Sequence, residues 1–273
     1  MTLSLAGPLL LVGAGKMGGA LLEGWLRQGL DPAAIFIRDP VPPPEVQALA
    51  ARHGIVLGAA PDLPALPSVV VVAVKPALID KLMPELAPLI GNGSIVLSIA
   101  AGKTLAALAR NLPSGTAMVR AMPNVAASVG RSMTVACANS AVTRDQALAC
   151  TMLLEAIGDV MWIDDESLLD AVTAVSGSGP AYVFLLAECM AEAGRAAGLD
   201  AELARRLARA TVEGAGALLR GSDLSPRELR EKVTSPQGTT AAALQILMGK
   251  DGIQDLLTRA VAAATKRSRE LSS

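Results

Sequence analysis

The sequence predicts an α/β protein: an N-terminal Rossmann-like dinucleotide-binding domain followed by an all-helical C-terminal domain. Three observations predict it. The apolar run Leu9–Val12 leads straight into Gly13-Ala14-Gly15-Lys16-Met17-Gly18 and then into a helix-forming run, the strand–turn–helix context that a G-x-G-x-x-G fingerprint requires. Short apolar runs then alternate with helical patterns, which reads as βαβ units around a mostly parallel sheet. Beyond Asp164 the strand signal disappears and apolar residues recur with the helical period. The expected domains are therefore 1–164, for the dinucleotide, and 165–273, helical.

Taken in order, Leu9–Val12 is the first strand. In the turn that follows, Gly13 permits the tight bend, Gly15 lets backbone approach a pyrophosphate, and Gly18 lets helix pack on strand. Lys16 and Met17 begin the helix, whose free N–H groups and dipole face the phosphates. Further strands are expected at Ile35–Arg38, Val69–Val74, Ile95–Ile99, Thr116–Arg120, Ser132–Ala138 and Asp159–Ile163. Helices are expected between them at 44–52, 78–89, 104–111 and 144–157. Residues 69–74 show no alternation, as suits a central strand buried on both faces. In the second half, glycines and prolines separate helices at 181–197, 201–219, 239–248 and 252–271.

Composition narrows the function. Hydrophobic residues make up 52% of the 273 residues but aromatics only 2%, which favours closely packed helices and excludes disorder. A net charge of −1 with no dense basic block argues against nucleic acid. The three cysteines form no C-x-x-C pair, so neither a disulfide framework nor a zinc site is expected, and they read as small core hydrophobes in a reducing cytoplasm. The apolar run Leu3–Val12 lacks the positive flank of a signal peptide, and no uninterrupted apolar window reaches a membrane span. No metal site and no membrane partner are expected.

Candidate site residues gather where strands end. Arg38 and Asp39 close the second strand, where an acidic residue would take the adenosine ribose hydroxyls of NAD and an arginine the 2′-phosphate of NADP. Arg38 comes first, which favours NADP, with NAD as the alternative. Ala73-Val74-Lys75-Pro76 ends the buried strand at the cofactor's edge, because ligands of parallel sheets sit at strand carboxyl ends. Ala100 and Ala101 leave room for a nicotinamide ring, and Arg120-Ala121-Met122-Pro123-Asn124 ends a third strand. In the helical half, Ser176-Gly177-Ser178-Gly179-Pro180 interrupts one helix before another begins. Thr234 to Thr240 places four hydroxyls in seven positions at a helix start, an anion site suited to a small carboxylate. One hydroxyl, from Ser235 or Thr239, would suffice for an ordinary N-cap.

These stretches, in this order, resemble pyrroline-5-carboxylate reductase. The likeness runs through Gly-Ala-Gly-Lys-Met-Gly at 13–18, Ala-Val-Lys-Pro at 73–76 and Ser-Ile-Ala-Ala-Gly at 98–102. It continues through Arg-Ala-Met-Pro-Asn at 120–124, Ser-Gly-Ser-Gly-Pro-Ala-Tyr at 176–182 and Thr-Ser-Pro-Gln-Gly-Thr-Thr at 234–240. The resemblance implies hydride transfer from NADPH or NADH to a cyclic imine, giving L-proline, and a helical domain that interlocks with a second subunit as a homodimer or a ring of dimers. It further implies that Ser235, Gly238, Thr239 and Thr240 hold the substrate carboxylate. Thr173 would hydrogen-bond the ring nitrogen, and Glu166 would stabilise its developing positive charge. Two departures stand out: Val125-Ala126 where the family usually reads Thr-Pro, and Gln237-Gly238 where it usually has two glycines. His53, the single histidine, is expected to be structural.

Two other functions fit the sequence less well. A β-hydroxyacid dehydrogenase needs a lysine proton acceptor on its helical domain, but Lys232, Lys250 and Lys266 lie in no Gly-rich helix start. A non-catalytic NADP(H)-binding sensor has no use for the hydroxyls of 234–240.

Overall fold

The structure is a computed structural model that describes residues 5–272. The first two residues of the apolar run Leu3–Val12 lie outside them. By compactness the chain divides into two units, Met1–Gly177 with Thr265–Ser273, and Ser178–Ala264.

Unit 1 is built on an eight-stranded sheet of order β3-β2-β1-β4-β5-β6-β7-β8. Its strands are β1 (Leu9–Val12), β2 (Ile35–Arg38), β3 (Val56–Gly58), β4 (Val69–Val72), β5 (Ile95–Ser98), β6 (Ala117–Met122), β7 (Ser132–Ala138) and β8 (Gly158–Trp162). Strands β1 to β6 are parallel, and β7 returns antiparallel to β6. The helices of this half are α1 (Lys16–Arg27), α2 (Pro44–His53), α3 (Ile79–Leu86), α4 (Leu105–Ala109), α5 (Arg144–Glu155) and α6 (Leu169–Val172).

Successive strand residues point to opposite faces, and both faces are covered. Leu9, Leu11, Ile35, Ile37, Val69 and Val71 pack beneath α1 and α5, whereas Leu10, Val12, Phe36, Val70 and Val72 pack beneath Ile79, Met83 and Leu86 of α3. That is why β4 reads as four consecutive valines: with two apolar faces there is no polar side to alternate with. Each such side chain contributes about 1.5–3 kcal/mol on burial.

Several boundaries differ from expectation. β4 stops at Val72; the Ala73 amide still donates to the Val12 carbonyl at 2.8 Å, and a short 3-10 turn begins at Pro76. α4 is only five residues long, capped by the Thr104 hydroxyl on the Ala107 amide. β3, three residues at the sheet edge, has too little apolar pattern to be expected. The helices after β8 do not all leave the sheet: Leu169 is fully buried against Val135 and Cys137, so residues 165–177 belong to unit 1 by packing although their sequence is helical.

Unit 2 holds α7 (Gly179–Ala196), α8 (Ala201–Arg220), α9 (Pro226–Lys232), α10 (Thr239–Leu247) and the start of α11 (Ile253–Ser272). No strand follows β8 among the described residues. Asp200 caps α8 through the amides of Glu202 and Leu203, and Ser225 with Glu228 forms a reciprocal capping box on α9. α9 is the helix the sequence pattern did not reveal, since its seven residues carry almost no apolar face. The last turns of α11 belong to unit 1, where Ser268 donates to Asp170 at 2.6 Å.

Candidate active site

The sheet register aligns the strand ends that the sequence marks. Val12 stands opposite both Arg38 and Val72, Val72 opposite Ser98, and Ser98 opposite Arg120. The residues just beyond this row, Gly13, Asp39, Ala73 and Ile99-Ala100, therefore share one rim. β1 and β4 are neighbours although β2 and β3 intervene in sequence, so the strand order reverses between them. In open α/β sheets the ligand crevice lies at such a switch point.

The glycine turn divides its labour among three residues. Gly13 has φ 89° and a side chain there would strike Val74 and the Ala73 carbonyl; a side chain at Gly18 would lie 2.2 Å from the Gly13 carbonyl oxygen. Those two glycines are demanded by the chain itself. A side chain at Gly15 would meet no protein atom within 4 Å. Gly15 is also the N-cap of α1, makes no side-chain cap, and leaves the amides of Lys16, Met17 and Gly18 without intrahelical partners. Open space beside Gly15, fronted by N–H groups at the positive end of a twelve-residue helix, fits a pyrophosphate.

The expected ribose-side residues separate. Asp39 accepts from the Ala14 amide at 2.7 Å and from the Val41 amide at 2.9 Å, so its carboxylate is fastened to the turn. The Arg38 guanidinium instead bonds Glu85 of α3. Lys75 and Lys16 are exposed at the rim, and Ala100 is buried beside it.

Two motifs distant in sequence, 120–124 and 173–177, meet just past the end of β6. Asn124 donates to the Ser176 hydroxyl at 3.2 Å, Ser176 donates to the Met133 carbonyl at 3.2 Å, and a side chain on Gly177 would strike Met122. Residues Thr173–Gly177 form a π-helical turn, a form that recurs at functional sites. Within it the Thr173 hydroxyl donates to the Leu169 carbonyl at 2.8 Å. Glu166 is held by two donors. Its Oε1 accepts from Arg120, which is 5% exposed, at 2.9 Å and from the Leu105 amide at 2.7 Å. Through Oε1 its charge is paired inside the unit. Arg120, already marked by the sequence as the start of a strand-end cluster, gains from the structure a partner 46 positions away.

Burial and the Glu166 carboxylate raise the Cys137 thiol above its usual range, and burial pushes Cys150 up to about 12. Both are neutral core residues, as expected, but Cys189 is exposed on α7. Among the described residues no cluster of His, Cys, Asp or Glu could hold a metal. Two surface cavities of about 310 Å³ lie around Gly91, Ser94 and Thr116 and around Leu5 and Met152; neither touches a candidate site residue.

In unit 2, the loop before α10 carries Ser235, Gly238, Thr239 and Thr240. Gly238 is the N-cap in extended conformation, and no side chain caps the helix, so neither Ser235 nor Thr239 serves as the ordinary cap. The first-turn amides of α10 are left open, with three hydroxyls beside them. Gln237 is the one non-glycine residue with positive φ, 59°, among those described.

A pyrophosphate-fitted turn at the switch point of a Rossmann-like sheet, followed by a helical region with an open helix start, defines a nicotinamide-dinucleotide oxidoreductase. Family comparison narrows this. Residues 166–271 match the pyrroline-5-carboxylate reductase dimerisation family, and residues 9–102 match the family described as NADP oxidoreductase, coenzyme F420-dependent. The pyrroline-5-carboxylate reductase of Pseudomonas aeruginosa is 39% identical over 262 residues, covering 96% of this chain and 95% of that one. The solved structure of a pyrroline-5-carboxylate reductase from Coxiella burnetii matches with TM-score 0.91 at 32% identity, over 98% of this chain and all of the other. A Plasmodium falciparum pyrroline carboxylate reductase solved with NADP bound matches with TM-score 0.79 at 26% identity, over 98% and 99% of the two chains. The chain belongs to the pyrroline-5-carboxylate reductase family.

The dimerisation match also accounts for the apolar exterior of unit 2, where Val183, Phe184, Leu185 and Leu186 are exposed. The helical run Glu166–Ala196 is by length and composition apolar enough to cross a membrane, with mean hydropathy 1.3 and 11% of that window buried. A subunit interface needs the same composition.

Proposed function

We propose that this chain reduces 1-pyrroline-5-carboxylate to L-proline with NADPH or NADH, the last step of proline biosynthesis. The observation that carries the reading is the pairing of two open helix starts, one fitted to a dinucleotide and one to a small carboxylate, in a chain of this family.

A dinucleotide held at the glycine turn would supply the hydride for the imine carbon, the C=N electron pair passing to nitrogen. The chain's own task is holding and orienting. In unit 1, the amides of residues 16–18 hold the pyrophosphate, while Ala73–Pro76, Ala100 and Ala101 border the cofactor. Thr173 presents only lone pairs, its proton being held by Leu169, which suits it to accept from a protonated imine N–H. Glu166 is a positioning residue: through Arg120 and the Leu105 amide it ties β6 to the start of α4, and it lies seven residues before Thr173. In unit 2, the amides of Thr239 and Thr240 with the Ser235, Thr239 and Thr240 hydroxyls take the substrate carboxylate.

The assembly expected is a homodimer or a ring of dimers, in the cytoplasm, with neither nucleic acid nor membrane as partner. The dimerisation match and the three unpaired cysteines support this. Initial rates of NADPH and NADH oxidation with pyrroline-5-carboxylate test the reaction, and a folded protein that shows no turnover at millimolar substrate removes it. Thr240→Ala should raise KM for the imine at least tenfold with cofactor Kd unchanged. An equal loss of cofactor affinity would sink the division of roles.

A further inference from the structure

β2 carries Arg38 and Asp39 to opposite sides of the sheet, and the reason lies in the strand's period of two. Phe36 packs on the α3 face with Ile79, Met83 and Leu86, whereas Ile35 and Ile37 pack on the α1 face. Arg38, two residues after Phe36, continues toward α3 and meets Glu85. Asp39, next in line, turns to the glycine loop and takes the Ala14 amide. Both stand at the end of the turn where the adenosine ribose lies in this fold, since the Gly13 amide is itself bonded to the Arg38 carbonyl at 2.9 Å.

The two cofactors differ there by one 2′-phosphate. Each Asp39 oxygen already accepts one N–H and retains a lone pair that a ribose hydroxyl can use, whereas a 2′-phosphate would face a carboxylate of like charge. The nearby cation that could offset that repulsion is Arg38, and it is already paired. Its side chain is 19% exposed and that of Glu85 44%, so the pair is partly shielded from solvent and not fully screened.

We propose that Glu85 is a specificity-determining residue: by holding the Arg38 guanidinium on α3, it limits affinity for NADPH relative to NADH. A 2′-phosphate must take Arg38 from Glu85, while NADH asks for no such exchange. This rests on the reading of the glycine turn as a nicotinamide-dinucleotide site and adds the residue that sets its selectivity.

The test is direct binding to the substrate-free protein, by calorimetry or quenching of intrinsic fluorescence, with NADPH, NADH, 2′,5′-ADP and 5′-AMP as probes. Glu85→Gln keeps the size of the side chain and removes its charge. It should tighten NADPH and 2′,5′-ADP at least fivefold and leave NADH and 5′-AMP within twofold. Arg38→Ala should weaken NADPH and 2′,5′-ADP by a similar factor, and adding Glu85→Gln to it should then change nothing. Equal tightening of all four probes by Glu85→Gln, or no tightening of any, overturns the proposal. Failure of the underlying reading looks different: the unmodified protein would bind neither NADPH nor NADH.

Discussion

Two helix starts in this chain, those of α1 and α10, meet the same requirement in different ways. Each has a glycine N-cap in extended conformation, Gly15 and Gly238, and neither has a side-chain cap. Each therefore leaves first-turn amides open to an anion. At α1 the turn is steered by a buried strand, and the glycines on either side of the cap are enforced by backbone contacts of 2.2–2.8 Å. At α10 no strand precedes the helix. The turn is set by local bonds, Gly238 N to the Ser235 carbonyl at 3.1 Å and the Thr234 hydroxyl to the Arg230 carbonyl at 2.7 Å, and it includes Gln237 with φ 59°. A rigid start suits a ligand part shared by many enzymes; a start furnished with hydroxyls suits one particular carboxylate.

The contrast can be broken by substitution. Gly18→Ala should have the largest effect, because the new methyl meets the Gly13 carbonyl and backbone cannot step aside: a loss of about 3 kcal/mol or more and a melting temperature lower by about 10 °C. A melt within 2 °C of the parent would show that the turn is softer than its contacts imply. Gly15→Ala should leave the melt nearly unchanged yet weaken dinucleotide binding about tenfold or more, since its side chain meets only the ligand's space. If stability fell and binding did not, Gly15 would be a structural glycine like its neighbours.

At α10 the expected effects are smaller. In Gly238→Ala the methyl would stand 2.5 Å from the Ser235 hydroxyl, which can rotate away; a cost of about 1 kcal/mol and a KM for the imine raised several-fold should follow, with cofactor Kd unchanged. Gln237→Gly should be the mildest change. Relief of the left-handed strain, about 1–2 kcal/mol, is offset by about 0.5–1 kcal/mol of glycine's extra chain entropy, so a small rise in melting temperature is expected. A clear fall would mean that the Gln237 side chain holds the loop.

Much of unit 1 could be read in advance because its signals are local. A strand, the three fingerprint glycines and a helix fall within nineteen consecutive positions from Leu9 to Arg27, and the unbroken valines of β4 announce a strand with no wet face. The hydroxyl-rich start of α10 was equally visible. What escaped were features made by partners far apart in sequence: Glu166 on Arg120 across 46 positions, Asn124 on Ser176 across 52, and Arg38 on Glu85 across 47. Short elements such as β3 and α9 escaped for another reason, having too few residues to show a period.

The sequence by itself determined the class of fold, the dinucleotide turn and the positions bordering it, because each depends on steric and hydrogen-bonding needs met within a few residues. The tertiary structure decided what the charges do. Adjacent in sequence, Arg38 and Asp39 offered two cofactor choices at once; only the pleat of β2 and the packing of α3 sent one to Glu85 and the other to the glycine turn. Glu166 is the same lesson inside the unit: nothing near it in sequence announces the buried guanidinium of Arg120 with which it pairs.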